Sequence, residues 1–394
     1  MKLTIKARPE DFLVTEIASI LFAPKGAFGV YLLKKTGWNT VELLREIARG
    51  ANIPVSAFAY GGRKDRHSQS TQYITVKSPK RLELRADKYS LKFLGFMNRP
   101  MGPDLIEGNS FEVAVRKLSA QGVLDARVQA EAVASEGFPN YFDDQRFGSF
   151  DERQGFLAQK LLRGEFNGAL KIYLTSVNAA NAAQERRRKQ FFFEHWRDWV
   201  KCLSQAKTIC ERECFAFLVD NPTGFIELLR KIPAEELATY FSAYQAHLWN
   251  EILRRLIASI PEAPFKTYPG VAGDYLFYIG KNEYIENLIL DTPGAKFRSQ
   301  DMKIELLYHE VLAANGIKQA MFNKLKTRQA FFKSFPRKAV VIPEDFSFEV
   351  HPDELYPGKK KFVLKFRLPR GSFATMLVKR IFSKNSIVAG ESLG

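Results

Sequence analysis

The most chemically suggestive segment of the chain is a short run that holds one carboxylate among several cations. It reads Gly61-Gly62-Arg63-Lys64-Asp65-Arg66-His67-Ser68-Gln69-Ser70-Thr71-Gln72. Adjacent cations favour an ionised carboxylate, so Asp65 could act as a nucleophile or a general base. The two glycines allow a sharp turn or the close approach of a ligand. A solvated surface loop has the same composition, so the segment alone leaves both interpretations open.

A second segment combines amide, guanidinium and aromatic side chains. It reads Pro139-Asn140-Tyr141-Phe142-Asp143-Asp144-Gln145-Arg146-Phe147-Gly148. Asn and Gln can hydrogen-bond to a base edge, Arg can bind a phosphate, and an aromatic ring can stack on a base. A loop whose phenylalanines fill the core would look similar, so this segment alone also supports two interpretations.

Composition and charge narrow the class of partner. The chain has 394 residues, a formal net charge of +16 and 13% aromatic residues, which excludes a mainly disordered protein. Residues 311–343 hold seven Lys or Arg and no acid, and residues 355–390 hold nine and no acid. Phenylalanines alternate with these cations, which is typical of proteins that bind RNA or single-stranded nucleic acid. A polyanionic partner is favoured over a solvated basic face or an acidic membrane surface.

The cysteines and the apolar runs bear on location. The chain has three cysteines, Cys202, Cys210 and Cys214. Their odd number and the absence of zinc-site spacing predict reduced thiols and a cytoplasmic protein. The chain start does not resemble a signal peptide. No run approaches the roughly 18 apolar residues that a membrane span needs, so we expect no membrane partner.

The elements that must position these segments follow from periodicity. Alternation predicts strands within 2–34, on both sides of the Asp65 loop within 58–76, and at 111–118, 339–350 and 361–368. Helical spacing predicts helices at 40–50 closed by Gly50, 124–136 ended by Gly137, 151–163, about 178–203, about 235–258, and a short one from Phe373. A strand-rich portion is interrupted by a helix-rich one, which predicts chain ends that share one sheet around an inserted domain.

Together and in this order, the two segments resemble motifs of the TruD family of pseudouridine synthases, which isomerise uridine in tRNA. The first is similar to the nucleophile loop, and the second to the family's Asn-Tyr-Phe-Gly-x-Gln-Arg-Phe-Gly segment, with Asp143 in place of the usual Gly. Three further stretches are similar to other family motifs: RPEDFLVTE at 8–16, SAYQAHLWN at 242–250 and LPRGSFAT at 368–375. The resemblance covers nearly the whole chain.

The resemblance implies an α+β pseudouridine synthase fold with a mixed, mostly antiparallel sheet and an inserted helix-rich α/β TruD domain. We predict a catalytic domain at 1–153 and 336–394 and the insertion at 154–335. The implied reaction is isomerisation of uridine 13 of tRNA by a monomer, without cofactor or metal. The sequence contains no phosphate-binding glycine loop and no zinc-ligand pattern, which agrees with that expectation.

Site residues carry over from the matching positions. Asp65 is the implied nucleophile, acting either at C1′ or on the 2′ proton. Since a flipped-out uridine leaves its stacked neighbours, Phe142 is expected to stack on RNA and to contribute little to the core.

The remaining implied site residues surround the base and the carboxylate. Phe12 and Phe373 are expected as further pocket walls, and Asn140 as the group that orients the uracil or Asp65. Lys64 is expected to keep Asp65 ionised, whereas Lys6 and Glu16 would line the pocket.

Two other functions compete with this one. A non-catalytic RNA-binding protein or RNA chaperone would keep the basic surface, but it has no need for Asp65 in the most basic loop. A metal-assisted nuclease would need two or more acids converging on one site, and only Asp65 is placed there.

Overall fold

The computed structural model describes residues 3–78, 81–178, 181–261, 264–323 and 332–385. Four residues of the first basic stretch lie outside the described residues: Lys324, Lys326, Arg328 and Phe331. None of the helices in the described part of the chain combines the length and apolarity that a membrane crossing requires. The three cysteines are free thiols, as predicted.

The described residues form seventeen strands and twelve α-helices, numbered here in chain order, besides five short 3-10 helices. The strands are β1 Thr4–Ile5, β2 Phe12–Ala18, β3 Phe28–Thr36, β4 Phe58–Tyr60, β5 Gln69–Val76, β6 Leu84–Arg85, β7 Tyr89–Met97, β8 Ile106–Leu118, β9 Phe138–Pro139, β10 Phe265–Tyr268, β11 Tyr275–Tyr278, β12 Ile289–Asp291, β13 Pro336–Lys338, β14 Val340–Val341, β15 Glu344–Pro352, β16 Lys360–Pro369 and β17 Lys384–Asn385. The helices are α1 Thr40–Ala51, α2 Ala120–Glu136, α3 Leu157–Leu162, α4 Phe166–Thr175, α5 Ala183–Glu194, α6 Trp199–Gln205, α7 Ile209–Asp220, α8 Phe225–Leu229, α9 Ala234–Ala258, α10 Glu283–Glu286, α11 Met302–Ala314 and α12 Ala374–Ile381.

The chain divides into two compact units. The first unit comprises residues 1–138 and 341–382, and the second comprises 139–340 and 383–394. These boundaries differ from the predicted 153/154 and 335/336, because residues 139–153 and 336–340 lie with the helix-rich part. The cause is visible at Asn140 and Phe142, which hydrogen-bond to partners within the second unit.

The first unit is built on a ten-stranded sheet. Its order is β15-β16-β8-β2-β5-β3-β7-β6, with β1 added on β8 and β4 added on β5. All pairings are antiparallel except β2 with β5, where Leu13 lies opposite Gln69 and Thr15 opposite Thr71. Because parallel strands start at the same edge of a sheet, the segment before β2 and the loop before β5 meet there. The predicted α+β class with a mixed, mostly antiparallel sheet is confirmed.

Helix α1 covers one face of this sheet and closes a hydrophobic core. Its residues Leu43, Leu44 and Ile47 are buried against Leu33 of β3 and Ile74 of β5. Asn39 caps its start by accepting a hydrogen bond from the backbone N–H of Glu42. The prediction that Gly50 closes this helix is wrong. The helix continues to Ala51, and Asn52 ends it in the left-handed conformation at φ 53°.

The second unit packs around α9, whose predicted range of about 235–258 is confirmed. This helix contacts α3, α11 and β11. Two other helix predictions were too long. Residues 151–156 form a turn in which the Asp151 carboxylate accepts from the backbone N–H groups of Arg153 and Gln154. The helix predicted at 178–203 is broken between α5 and α6, where Arg197 has φ 84°.

Candidate active site

The Asp65 loop runs from Gly61 to Ser68, between β4 and β5. Gly61 is required there because a Cβ would lie 2.4 Å from the Ile106 side chain and 2.9 Å from the carbonyl oxygen of Gly102. Gly62 has open space around the position of a Cβ. The chain therefore needs the first glycine for close packing within the first unit.

Buried side chains hold the backbone of this loop. Thr40 Oγ1 accepts from the N–H of Lys64 at 2.9 Å and donates to Gln72 Oε1 at 2.8 Å. Gln72 Nε2 donates to the carbonyl of Gly62 at 3.1 Å. Thr40 and Gln72 are fully buried, so these bonds are shielded from water. The Asp65 loop is thus an anchored segment.

The Asp65 carboxylate makes an ion pair with Lys6. The distance from Lys6 Nζ to Asp65 Oδ2 is 2.7 Å, and the side chains are 20% and 27% exposed. Lys6 has a left-handed backbone at φ 60°, which costs a non-glycine residue about 1 kcal/mol or more. Its ammonium also lies 4.5 Å from the ring centroid of Phe12. The structure thus brings together Lys6, Phe12 and Asp65.

Asp65 is held in the ionised form. Partial burial alone would raise the pKa of its carboxyl. The hydrogen bond and charge of Lys6 and the backbone N–H groups of His67 and Arg66 more than offset this effect, so the pKa lies below its ordinary value of 3.8. Ionisation is therefore complete at neutral pH, as a nucleophile or base requires. The two ends of this ion pair are 59 residues apart in the chain.

Lys64 does not play its expected part. Its ammonium lies 3.0 Å from Glu16 Oε2 and also donates to Asn109 Oδ1, so the expectation that it keeps Asp65 ionised is wrong. Glu16 is 2% exposed and its Oε1 accepts from the N–H of Tyr73 at 3.0 Å. Lys64, Glu16 and Asn109 therefore tie the loop to β2 and β8. The physical reason is that Glu16 is buried and its charge needs a cation, which Lys64 supplies.

The loop's other cations point elsewhere. Arg66 pairs with Glu42 of α1, and Arg63 and His67 are exposed. The remaining predicted residue of the first unit, Phe373, is half-buried at the position that precedes α12.

Asn140 and Phe142 form a separate cluster within the second unit. The guanidinium of Arg337 donates to the Asn140 carbonyl and to Asn140 Oδ1 at 2.8 Å. Asn250 of α9 accepts from the N–H of Phe142 at 2.9 Å and donates to its carbonyl at 2.8 Å. The segment is thus fixed on both sides by buried polar side chains.

The ring of Phe142 is part of the core. It is 4% exposed, lies edge-on to Trp249 with centroids 5.6 Å apart, and has the Arg337 guanidinium 4.0 Å from its centroid. The expectation that Phe142 contributes little to the core is therefore wrong. The sequence lacked the signal because the ring's partners lie more than 100 residues away along the chain.

The basic stretches are less uniformly exposed than the sequence suggested. Arg337, Lys379 and Arg380 are buried, and Arg380 binds Gln129 and Glu136. Three other cations of the second stretch form ion pairs with acids: Lys361 with Glu354, Lys365 with Glu349 and Arg367 with Asp345. Apart from Arg367, which is exposed but paired, six described cations of the two stretches are exposed: Lys318, Lys333 and Lys338 in the second unit, and Lys359, Lys360 and Arg370 in the first. Among the described side chains of these stretches, these six have the clearest access to a polyanion.

Sequence reasoning missed Lys35, whose ammonium reaches the carbonyl groups of the Asp65 loop. A signal was present: Lys35 shares the face of Tyr31 and Leu33 on an alternating strand, and those residues are apolar and buried. A lysine on a buried face needs polar partners. Within the described residues, no cluster of three or more His, Cys, Asp or Glu side chains could hold a metal ion.

Known proteins resemble this chain over nearly its whole length. Residues 1–381 match the family model for tRNA pseudouridine synthase D (TruD). The tRNA pseudouridine synthase D of Leptospira interrogans is 30% identical, covering 97% of each chain, and that of Aquifex aeolicus is 29% identical, covering 97% of this chain and 98% of the relative.

A solved structure supports the fold independently. A crystal structure of a Methanosarcina mazei protein described as a tRNA pseudouridine synthase D (TruD) superposes with a TM-score of 0.72 at 24% identity, covering 96% of this chain and 93% of that one. The chain with the Lys6–Asp65 pair therefore has the TruD fold and belongs to the TruD family of tRNA pseudouridine synthases.

Proposed function

We propose that this protein converts uridine 13 of tRNA to pseudouridine, with Asp65 as the nucleophile. The observation that carries the proposal is the half-buried, ionised Asp65 carboxylate, held by Lys6 at 2.7 Å beside the ring of Phe12. In the reaction the C1′–N1 bond breaks, the uracil turns, and a C1′–C5 bond forms. The C5 proton is lost and N1 gains one, so the reaction is an isomerisation that needs no external oxidant, reductant or group donor.

The roles of the chain's own residues follow from their contacts. Asp65 supplies the negative charge that acts on the ribose, either at C1′ or on the 2′ proton. Lys6 keeps that carboxylate ionised and oriented, and Phe12 supplies an apolar wall. A uridine inside folded tRNA must be flipped out to reach them. Within the first unit, Phe373 is proposed to contact the flipped nucleotide. Within the second unit, Asn140 and Phe142 are proposed to contact the tRNA.

The test is incubation of the full chain with unmodified tRNA, followed by mapping of pseudouridine at single-nucleotide resolution. We expect one modified site at position 13, and none in a transcript that carries cytidine there. Pseudouridine at another position would retain the reaction class and overturn the position. Binding without any pseudouridine would favour a non-catalytic RNA-binding protein. We propose that the enzyme acts as a monomer in the cytoplasm.

The affinity for tRNA should fall steeply with salt. If the six exposed cations of the basic stretches each neutralise one phosphate, log K should decrease with log salt at a slope of about −4 to −5. Filter binding between about 50 and about 300 mM KCl measures that slope. Replacing both Lys359 and Lys360 by Gln should reduce its magnitude by about 1 to 2. Lys365→Gln is the matched control, because Lys365 is already paired with Glu349. A flat dependence would contradict an electrostatic footprint.

Truncation of Phe142 should affect both stability and turnover. Because the ring is buried against Trp249 and Arg337, Phe142→Ala should cost about 3 to 5 kcal/mol of unfolding free energy, measured in urea. Phe147→Ala is the matched control, since Phe147 is equally buried in the same segment. If Phe142 also stacks on the bound RNA, its variant should lose a further factor of about 10 to 100 in single-turnover rate at low temperature. Equal rates for the two variants would restrict Phe142 to packing.

A further inference from the structure

The side chain of Lys35 occupies an unusual position for a lysine. It points from β3 to the buried face of the sheet and is 1% exposed. Its ammonium donates to three backbone carbonyls: Trp38 at 2.6 Å, Asp65 at 2.9 Å and Lys64 at 3.3 Å. An ammonium has three N–H donors, and each finds an acceptor here. Burial of a charged group costs free energy, which these three hydrogen bonds offset.

We propose that Lys35 is a positioning residue, whose ammonium holds the peptide groups on both sides of Asp65 and thereby sets the direction of its carboxylate; this inference rests on the proposed role of Asp65 as nucleophile. The Lys64 carbonyl belongs to the peptide that precedes Asp65, and the Asp65 carbonyl to the peptide that follows. Fixing both peptides fixes the Cα–Cβ bond between them. Ser68 Oγ adds a hydrogen bond to the Asp65 carbonyl at 3.0 Å.

The same contact links the loop to a third element. The Trp38 carbonyl lies in the turn between β3 and α1, so Lys35 joins that turn to the Asp65 loop. The Asp65 carboxylate is bound by the Lys6 ammonium and by the backbone N–H of His67, and Lys35 does not contact it through a hydrogen bond in the described structure. The two lysines therefore bind different parts of Asp65: Lys6 binds its carboxylate, and Lys35 binds the backbone that carries it.

The charge of Lys35 depends on pH within a measurable range. Burial lowers its pKa from 10.5 to about 8; the negative charge of Asp65 opposes this shift and the positive charge of Lys64 adds to it. The charged groups that face Lys35 are thus Asp65 and Lys64, with Lys6 bound to the far side of Asp65. Above pH 8 the amine keeps only two N–H donors for three carbonyls. The single-turnover rate of the wild-type protein should therefore decline above about pH 8.

Three variants separate positioning from other roles. Lys35→Met removes the charge and the donors, Lys35→Arg keeps the charge, and Lys34→Met is the matched control on the exposed face of the same strand. Single-turnover pseudouridine formation and tRNA affinity are measured between about pH 6.5 and 9.5. We expect Lys35→Met to lower the rate by about 10- to 100-fold with tRNA affinity changed less than about threefold, and to lack the decline above pH 8. Lys35→Arg should restore part of the rate and move the decline to higher pH.

Amide hydrogen exchange tests the same inference without any activity. The peptides that span residues 62–68 should exchange at least about tenfold faster in Lys35→Met, and unchanged in Lys34→Met. Unchanged exchange in Lys35→Met, or a rate equal to wild type, overturns the positioning role. Absence of pseudouridine from the wild-type protein overturns the proposed function instead, while the exchange result still decides whether Lys35 orders the loop.

The pH dependence of stability supplies a further readout. Between pH 8 and 10.5 the unfolded state retains the Lys35 proton that the folded state has lost. Because the unfolded state binds more protons there, the stability of the wild type should rise with pH relative to Lys35→Met. A difference between the two proteins that stays constant across this range would contradict a buried, titrating Lys35.

Discussion

Replacement of Asp65 by Asn is expected to abolish pseudouridine formation while the protein stays folded and binds tRNA. The amide preserves the size of the side chain but removes the charge that Lys6 stabilises at 2.7 Å. We expect a loss of at least about 10³-fold in single-turnover rate, as is typical when a reacting group is removed. Stability should change by about 1 kcal/mol or less, because both side chains of the ion pair are partly exposed.

Asp104→Asn is the matched control for this experiment. Asp104 also lies in the first unit and pairs with a cation, Arg99, but both side chains of this ion pair are more than half exposed, and neither belongs to the Asp65 loop. Its substitution should leave both rate and affinity unchanged. An Asp65→Asn protein that turns over at a rate close to wild type would remove Asp65 from the reaction.

The second large effect is expected at Arg116, and it concerns stability. Arg116 is 1% exposed and binds Asp11 and Asp353, which are equally buried, as well as the more exposed Glu354. Arg116→Met should cost about 3 to 5 kcal/mol of unfolding free energy, because two carboxylates then remain buried without their cation. Asp11 immediately precedes Phe12, so the same network fixes the segment that carries Lys6.

Urea unfolding of Arg116→Met against Arg367→Met measures this effect. Arg367 pairs with Asp345 at 3.0 Å, but both side chains are more than half exposed, so its loss should cost less than about 1 kcal/mol. Equal costs for the two variants would show that the buried network adds nothing beyond a surface pair. Burial raises the pKa of the Asp353 carboxyl, but the backbone N–H groups of Lys117 and Leu355, together with the Arg116 guanidinium, outweigh burial and hold this pKa below its ordinary value of 3.8. The stabilisation that the ionised Asp353 provides is therefore present at neutral pH, and it is lost only as the pH falls below the ordinary carboxyl pKa of 3.8.

Much of the local structure was predictable from the sequence. Alternation on β2, β8 and β16 and helical spacing on α9 reflect the burial of one face, which is a property of consecutive residues. The errors occurred where side chains compete with the backbone pattern. Asn52, rather than Gly50, ends α1, and the Asp151 carboxylate holds a turn where a helix was predicted.

The site itself was only half predictable. The sequence by itself determined that Asp65 lies in a loop rich in cations, since that is a matter of neighbouring residues. Which cation binds the carboxylate was decided by the tertiary structure. The adjacent Lys64 and Arg66 turn to Glu16 and Glu42, whereas Lys6 arrives from 59 residues away. The physical reason is the parallel pairing of β2 with β5, which brings the segment before one strand to the loop before the other, a register that no local pattern encodes.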